Sequence, residues 1–148
     1  MFDLNESSTF TKYIAAGSPY TPELVLARLA LEPHWQLRRR VAENPHTPPE
    51  ILARLARDEH PDVRLSLWDN PAIDEATLEA LSQDESADVR LAIASDPRLP
   101  EKILRRLVQD ENPYVAERAY RSFNLKYPTQ QPTQLQPRAA NIDMHEAV

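Results

Sequence analysis

The sequence predicts an all-α fold, a solenoid built from about four copies of a 26-residue repeat with two helices in each copy. Three observations carry this expectation. The dipeptides Ser18-Pro19, Asn44-Pro45, Asn70-Pro71 and Asp96-Pro97 recur every 26 residues without insertion, and a fixed period of this length is the signature of stacked repeats. Apolar columns keep the same register: Leu26, Leu52, Leu78 and Leu104; Leu29, Leu55, Leu81 and Leu107; Leu37, Val63, Val89 and Val115. Finally, the 148 residues include a single glycine, Gly17, against 14 prolines. Strand-and-turn folds draw on glycine for turns with positive φ, so helices punctuated by proline suit this composition better.

Residues 1–10 read as an N-terminal cap segment in which Phe2, Leu4 and Phe10 are expected to cover the open edge of the first repeat. Residues 11–123 read as the repeat domain. The first helix of a repeat starts at Thr47-Pro48-Pro49-Glu50, with Thr47 as N-cap, proline at the first helical position and Glu50 three residues after the cap. Thr21-Pro22-Glu23 and Pro100-Glu101 start their helices in the same way. Ile51, Leu52, Leu55 and Ala56 share one helical face, and the helix is expected to end near Asp58 after about ten residues, ~15 Å.

The second helix begins behind His60-Pro61, Ser86-Ala87 or Asn112-Pro113. It is expected to bury Val63 and Leu67, then Val89 and Ile93, then Val115 and Ala119, and to stop at the next proline, because the residue before proline avoids the helical region. A helix of roughly eight or nine residues is too short to stand alone, so stacking of neighbours must stabilise it. Residues 124–148 are rich in Pro, Gln and Thr, a composition that cannot bury a core and reads as a flexible tail. The stretch Ile142-Asp-Met-His-Glu-Ala-Val148 within it is a candidate docking motif.

The segments Asp58-Glu-His-Pro-Asp-Val-Arg64 and Asp84-Glu-Ser-Ala-Asp-Val-Arg90, each leading to Asn-Pro or Asp-Pro, resemble the leucine-rich-repeat-variant and HEAT-like α-solenoid families over roughly residues 11–123. The resemblance implies a right-handed superhelix of armadillo/HEAT type. It also implies a structural ladder of Asp with the Arg six residues later, which carries over to Asp58 with Arg64 and Asp84 with Arg90. Arg64 is expected to contact Asp58 and Asp84, and Arg38 to pair with Glu32. Asp110 meets Ala116 in the last copy, so the ladder is expected to stop there. Some members of the family hold a cysteine-bound iron–sulfur cluster, which a chain without cysteine cannot. These families are mostly protein-binding scaffolds, and some HEAT-like solenoids are DNA glycosylases or pigment lyases, so a solenoid enzyme stays as the second reading.

Net charge is −6. Nucleic-acid binding begins with a basic surface that displaces counterions, so nucleic acid is not an expected partner. The lack of cysteine excludes disulfides and thiolate metal sites. No apolar run approaches the ~20 residues of a membrane span, and the N-terminus lacks the basic and apolar regions of a signal peptide. A cytoplasmic monomer without cofactor is the expectation. No Gly-rich phosphate loop, Gly-x-Ser-x-Gly elbow or His-Glu-x-x-His pair occurs, so no catalytic residue is assigned. His34, His46 and His60 near acids could bind a metal, but the equivalents of His34 and His60 in later copies are Ser86 and Asn112, which favours a helix-cap role.

Trp68 stands in a column of Ala16, Ala42, Ala94 and Tyr120; it either fills a gap between repeats or breaks the surface as an anchor. Opposite Val63 on the second helix, successive copies read Gln36-Arg39-Glu43, Asp62-Leu65-Asp69, Asp88-Leu91-Ser95 and Tyr114-Glu117-Arg121. Leu65 and Leu91 are therefore expected to point outward from adjacent repeats, about 10 Å apart at ordinary helix spacing, unless neighbours cover them. In HEAT-like solenoids this helix lines the concave face. The expected partner surface is Asp62, Leu65, Trp68, Asp69, Asp88 and Leu91, an apolar stripe rimmed with acid that suits a basic, amphipathic protein or peptide segment.

Overall fold

The computed structural model describes residues 8–128 and Pro137. Among them the chain forms nine helices and no strand: α1 (Thr9–Gly17), α2 (Glu23–Leu29), α3 (Trp35–Ala42), α4 (Pro49–Leu55), α5 (Pro61–Leu65), α6 (Glu75–Leu81), α7 (Ala87–Ile93), α8 (Glu101–Leu107) and α9 (Pro113–Lys126). This is a helical-repeat pattern. None of these helices is long and apolar enough to cross a membrane. The chain divides into two compact units, Met1–Leu81 and Ser82–Val148, and each is described by itself.

In the first unit α1 packs on α3, α3 on α5, and α2 on both α1 and α3. The core is the apolar column set read from the period: Leu26, Leu29, Leu37, Val41, Leu52, Leu55, Val63 and Leu67 are essentially buried. The first helices α2 and α4 run seven residues against the expected ten, and α5 runs five against the expected eight or nine, whereas α3 keeps eight. After Leu55 the backbone tightens into turns, Arg57 N–H donating to Arg54 O and Asp58 N–H to Leu55 O, both at 3.0 Å, the usual three-residue closure of an α-helix end. The five-residue α5 is the extreme case. Ser66 donates its hydroxyl to Val63 O at 2.8 Å, a local bond that competes with helix continuation, and the chain proceeds through Leu67 N–H to Arg64 O and Trp68 N–H to Leu65 O, each 3.3 Å.

The threonines read as N-caps have another task. Thr47 is buried and donates to Val41 O at 2.7 Å, and Thr21 donates to Ala15 O at 2.6 Å. Each thus ties the start of one helix back to the end of the previous one, while prolines 22 and 48 occupy the cap position without a side-chain cap bond. Gly17 is also a packing residue, with no positive φ: a Cβ there would run into the Arg40 guanidinium.

In the second unit α9 packs on α7 and α8, burying Val89, Ile93, Ile103, Leu104, Leu107, Val115, Ala119 and Phe123. At 14 residues α9 outlasts every other helix among the described residues. The reason is one substitution in the repeat: Phe123 stands where Pro19, Pro45, Pro71 and Pro97 stand in earlier copies, so the stop signal is gone. The helix therefore continues through residues 124–126, which the sequence assigned to the tail. Phe123 is fully buried against Tyr127, with ring centroids 5.2 Å apart, and the Arg105 guanidinium lies 4.9 Å from its ring centroid. Lys126 Nζ donates to Pro97 O at 2.9 Å and Leu99 O at 2.6 Å, closing that end with polar bonds.

Candidate interaction site

Two ladders of side-chain bonds set the surface residues in place. Arg38, almost wholly buried, donates from Nε and Nη2 to the two carboxylate oxygens of Asp58 at 2.7 and 2.8 Å, and from Nη1 to the carbonyls of Glu32 at 2.9 Å and Pro33 at 3.0 Å. Arg90 repeats this in the second unit, with Asp110 at 2.8 and 3.0 Å and the carbonyls of Asp84 at 2.7 Å and Glu85 at 3.2 Å. Arg64 Nη1 likewise donates to Asp58 O at 2.7 Å.

The expected contacts of Arg64 with Asp58 and of Arg90 with Asp84 are present, but the pairing of carboxylate with the Arg six residues later is corrected. Arg64 and Arg90 reach the main-chain carbonyls of Asp58 and Asp84, whereas the Asp58 carboxylate is taken by Arg38. Arg38 likewise meets the carbonyl of Glu32, not its carboxylate, which belongs to Lys12 at 2.8 Å. Lys12 is one period ahead of Arg38; the twenty-residue spacing expected for Arg64 with Asp84, carried back to Lys12 and Arg38, would have found both pairs. Asp110 is inside the ladder as acceptor for Arg90. What ends at Ala116 is the supply of cations.

Burial alone would push the Asp58 carboxyl up, but the Arg38 hydrogen bonds and the His60 N–H outweigh it, leaving the group below the usual carboxylate range. Asp110 behaves alike, with burial opposed by Arg90 and the Asn112 N–H. The hydrogen bonds to these carboxylates raise Arg38 and Arg90 in turn.

The second ladder was not legible as one. Asn44 and Asn70, read only as residues preceding proline, are buried amides. Asn44 Nδ2 donates to Ala16 O at 2.8 Å and Ser18 O at 2.9 Å; Asn70 Nδ2 donates to Ala42 O at 2.7 Å and Asn44 O at 3.0 Å. Each therefore satisfies carbonyls at the end of the preceding second helix. In the second unit Asp96 has no amide to offer and is held by Arg98 at 2.6 Å, and Ser122 donates to Ala94 O at 2.7 Å.

On this frame Asp62, Leu65, Ser66, Trp68 and Asp69 line one shallow cleft of about 400 Å³ with Arg39 of α3 and Glu43, its C-cap. Leu65 is half-buried and Trp68 is 40% exposed, so the tryptophan breaks the surface. The tight turn after α5 explains why both line the cleft: three-residue spacing eclipses side chains i and i+3, so Leu65 and Trp68 fall on one side. Arg39 donates to Glu43 at 2.8 Å, and Arg40 reaches the same carboxylate at 3.2 Å. The cleft then sets one cation against three carboxylates, those of Glu43, Asp62 and Asp69.

Asp88 and Leu91 belong to the second unit. Leu91 is half-buried and lines a cleft of about 260 Å³ with Tyr114, Glu117, Arg118 and Arg121. Asp88 is exposed in the first turn of α7 and does not line that cleft. The acidic rim expected around Leu91 is replaced by a basic and aromatic one, because its neighbours come from α9, where the repeat column changes sign.

The cap role favoured for the histidine column is present in part. His60 Nδ1 accepts from Asp62 N–H at 3.3 Å and Asn112 Oδ1 from Tyr114 N–H at 2.9 Å, whereas His34 and Ser86 make no side-chain cap bond. His60 also stacks on Trp35, ring centroids 4.1 Å apart. At the N-terminal end of the first unit, Phe10, Ile14, Tyr20 and Val25 line an apolar cleft of about 740 Å³. Phe10, expected to cover this edge, is 73% exposed on α1; Phe2 and Leu4 lie outside the described residues, as do the segment from residue 129 to 136 and the stretch from Ile142 to Val148.

Residues 36–97 match the family model of the Leucine Rich Repeat Variant domain. The matched segment carries the Arg38–Asp58 pair, the Asn44 and Asn70 amides and the whole acid-rimmed cleft. No curated protein and no solved structure gives a significant match.

Proposed function

We propose that this chain is a non-enzymatic protein-interaction module, an adaptor, inhibitor or immunity-type scaffold, whose first-unit cleft engages a basic, amphipathic peptide or helix. The observation that carries the reading is the convergence of half-buried Leu65 and exposed Trp68 with Asp62, Asp69 and Glu43 in one cleft. Binding surfaces concentrate energy in a few apolar or aromatic anchors within a polar surround, and an acidic rim steers basic partners and adds salt dependence. The repeat-variant match over residues 36–97 supports a scaffold role. A right-handed α-solenoid of about four repeats, presenting the second helices on its concave face, is the finer architecture we attach to this reading; its support is the unbroken 26-residue period and the family match. Monomeric, cytoplasmic action without cofactor, membrane or nucleic acid completes the proposal, and it rests on composition and motif content.

The test is fluorescence anisotropy of the full chain with a labelled amphipathic peptide of alternating Lys and Leu. Wild type should bind it, Leu65→Asp should abolish binding, and Asp62→Asn with Asp69→Asn should weaken it mainly at low salt. Equal affinity in wild type and Leu65→Asp would sink the assignment of this cleft.

A further inference from the structure

We propose that the cleft of Leu91, Tyr114, Arg118 and Arg121 is a second docking surface that takes a short acidic peptide segment, seating an apolar side chain on Leu91 and Tyr114 and a neighbouring carboxylate on Arg118. Tyr114, Arg118 and Arg121 fall at i, i+4 and i+7 of α9 and so share one face. Their backbone is held by the Asn112 cap, which accepts from Tyr114 N–H at 2.9 Å and Val115 N–H at 3.4 Å. Tyr114 is 76% exposed, and Leu91 supplies a half-buried apolar floor. A lone exposed aromatic or arginine is ordinary; what points to a ligand is the charge balance around the floor. Arg121 is neutralised along its own helix by Glu117 at 2.8 Å. Arg118 makes no ion pair among the described residues, so an uncompensated guanidinium stands beside the apolar surface.

The repeat makes the assignment sharper. Two copies earlier, the positions of Leu91, Tyr114, Glu117, Arg118 and Arg121 are Arg39, Asp62, Leu65, Ser66 and Asp69. The same frame therefore presents acids in one unit and cations in the other, and charge complementarity selects an acidic partner here. A guanidinium meets a carboxylate through two parallel hydrogen bonds, which fixes the register of the bound segment. Nucleic acid fits less well: counterion release scales with the number of phosphates neutralised, and one uncompensated cation releases little.

The experiment compares labelled octapeptides of alternating Leu and Glu, Leu and Gln, and Leu and Lys, together with a ten-nucleotide oligothymidine, by anisotropy on the full chain. The Leu/Glu peptide should bind at least tenfold tighter than the Leu/Gln peptide. Arg118→Gln should remove that preference and Arg118→Glu should cost a further several-fold, both without change in melting temperature, since Arg118 is exposed. Leu65→Asp, which disables the other cleft, should leave Leu/Glu affinity unchanged, which separates this proposal from the first-unit reading. Equal binding of Leu/Glu and Leu/Gln, unchanged affinity in Arg118→Gln, or tighter binding of the oligonucleotide than of the Leu/Glu peptide would each overturn it.

Discussion

Arg38 in the first unit and Arg90 in the second make the same bonds to the same kinds of atoms: both oxygens of an Asp carboxylate in the next copy, and two carbonyls of their own. The side chains one residue further along, Arg39 and Leu91, share no chemistry at all. The contrast separates two kinds of position in a repeat protein. Buried ladder positions must match their counterparts, because an unpaired buried charge is costly. Surface columns carry no such penalty and drift in character and sign, as Asp62 against Tyr114 and Asp69 against Arg121 show. The ends differ as well. The first unit leaves Phe10, Ile14 and Tyr20 exposed beside an apolar cleft, whereas the second buries Phe123 and closes its carbonyls with Lys126.

If the ladders are equivalent, Arg38→Ala and Arg90→Ala should destabilise alike, by about 3 kcal/mol each, because either change leaves a buried carboxylate without its partner. Urea denaturation checks this, and a clear inequality breaks the equivalence. Lys12→Ala should cost less, since Lys12 offers Glu32 one hydrogen bond where arginine offers Asp58 two.

The amide ladder predicts an asymmetry instead. Asn70→Ala strips the donor from two main-chain carbonyls and should cost about 1–3 kcal/mol. Ser122→Ala removes one bond and should cost about 1 kcal/mol. Thermal melts of the two variants should rank in that order.

Acid titration sharpens the first comparison. Asp58 and Asp110 have folded-state values below that of an ordinary aspartate, about 3.9, so each contributes stability above that pH and loses it as pH falls from there through the depressed value. Stability of wild type should fall across this acid range, and Asp58→Asn or Asp110→Asn should flatten the fall by similar amounts.

Within the second unit, Asn112→Ala removes a cap bonded to two N–H groups and should cost about 1 kcal/mol, whereas Ser86→Ala, which has no cap bond to lose, should stay within about 0.5 kcal/mol. In the clefts, Leu65→Asp and Leu91→Asp should each shift stability by less than about 1 kcal/mol, and a larger loss in either would return that leucine to the core.

How much of this was legible in the sequence follows from the same division. The 26-residue period placed Leu26, Leu52, Val63, Leu104 and Val115 in the core and marked where helices break. Stacking demands the same apolar shape at the same place in every copy, so a single chain carries its own internal comparison. The columns also picked out Asp62, Leu65, Trp68 and Asp69, which share one cleft, although the turn that aligns Leu65 with Trp68 depends on the Ser66 hydroxyl bond to Val63 O.

Tertiary structure alone decided which atoms pair. Spacing places an Asp and an Arg six residues apart on one repeat, but the reach of a guanidinium across to the next copy sends Arg38 to Asp58 and leaves only main-chain oxygen for the nearer contact. The same holds for Asn44 and Asn70, whose local role before proline conceals an amide that serves carbonyls 26 and 28 residues away, and for Leu91, whose cleft takes its charge from α9. Hydrophobic burial repeats with the period and can be read along the chain. Hydrogen-bond partners and surface charge depend on what lies across the interface between copies, and that is set only when the helices pack.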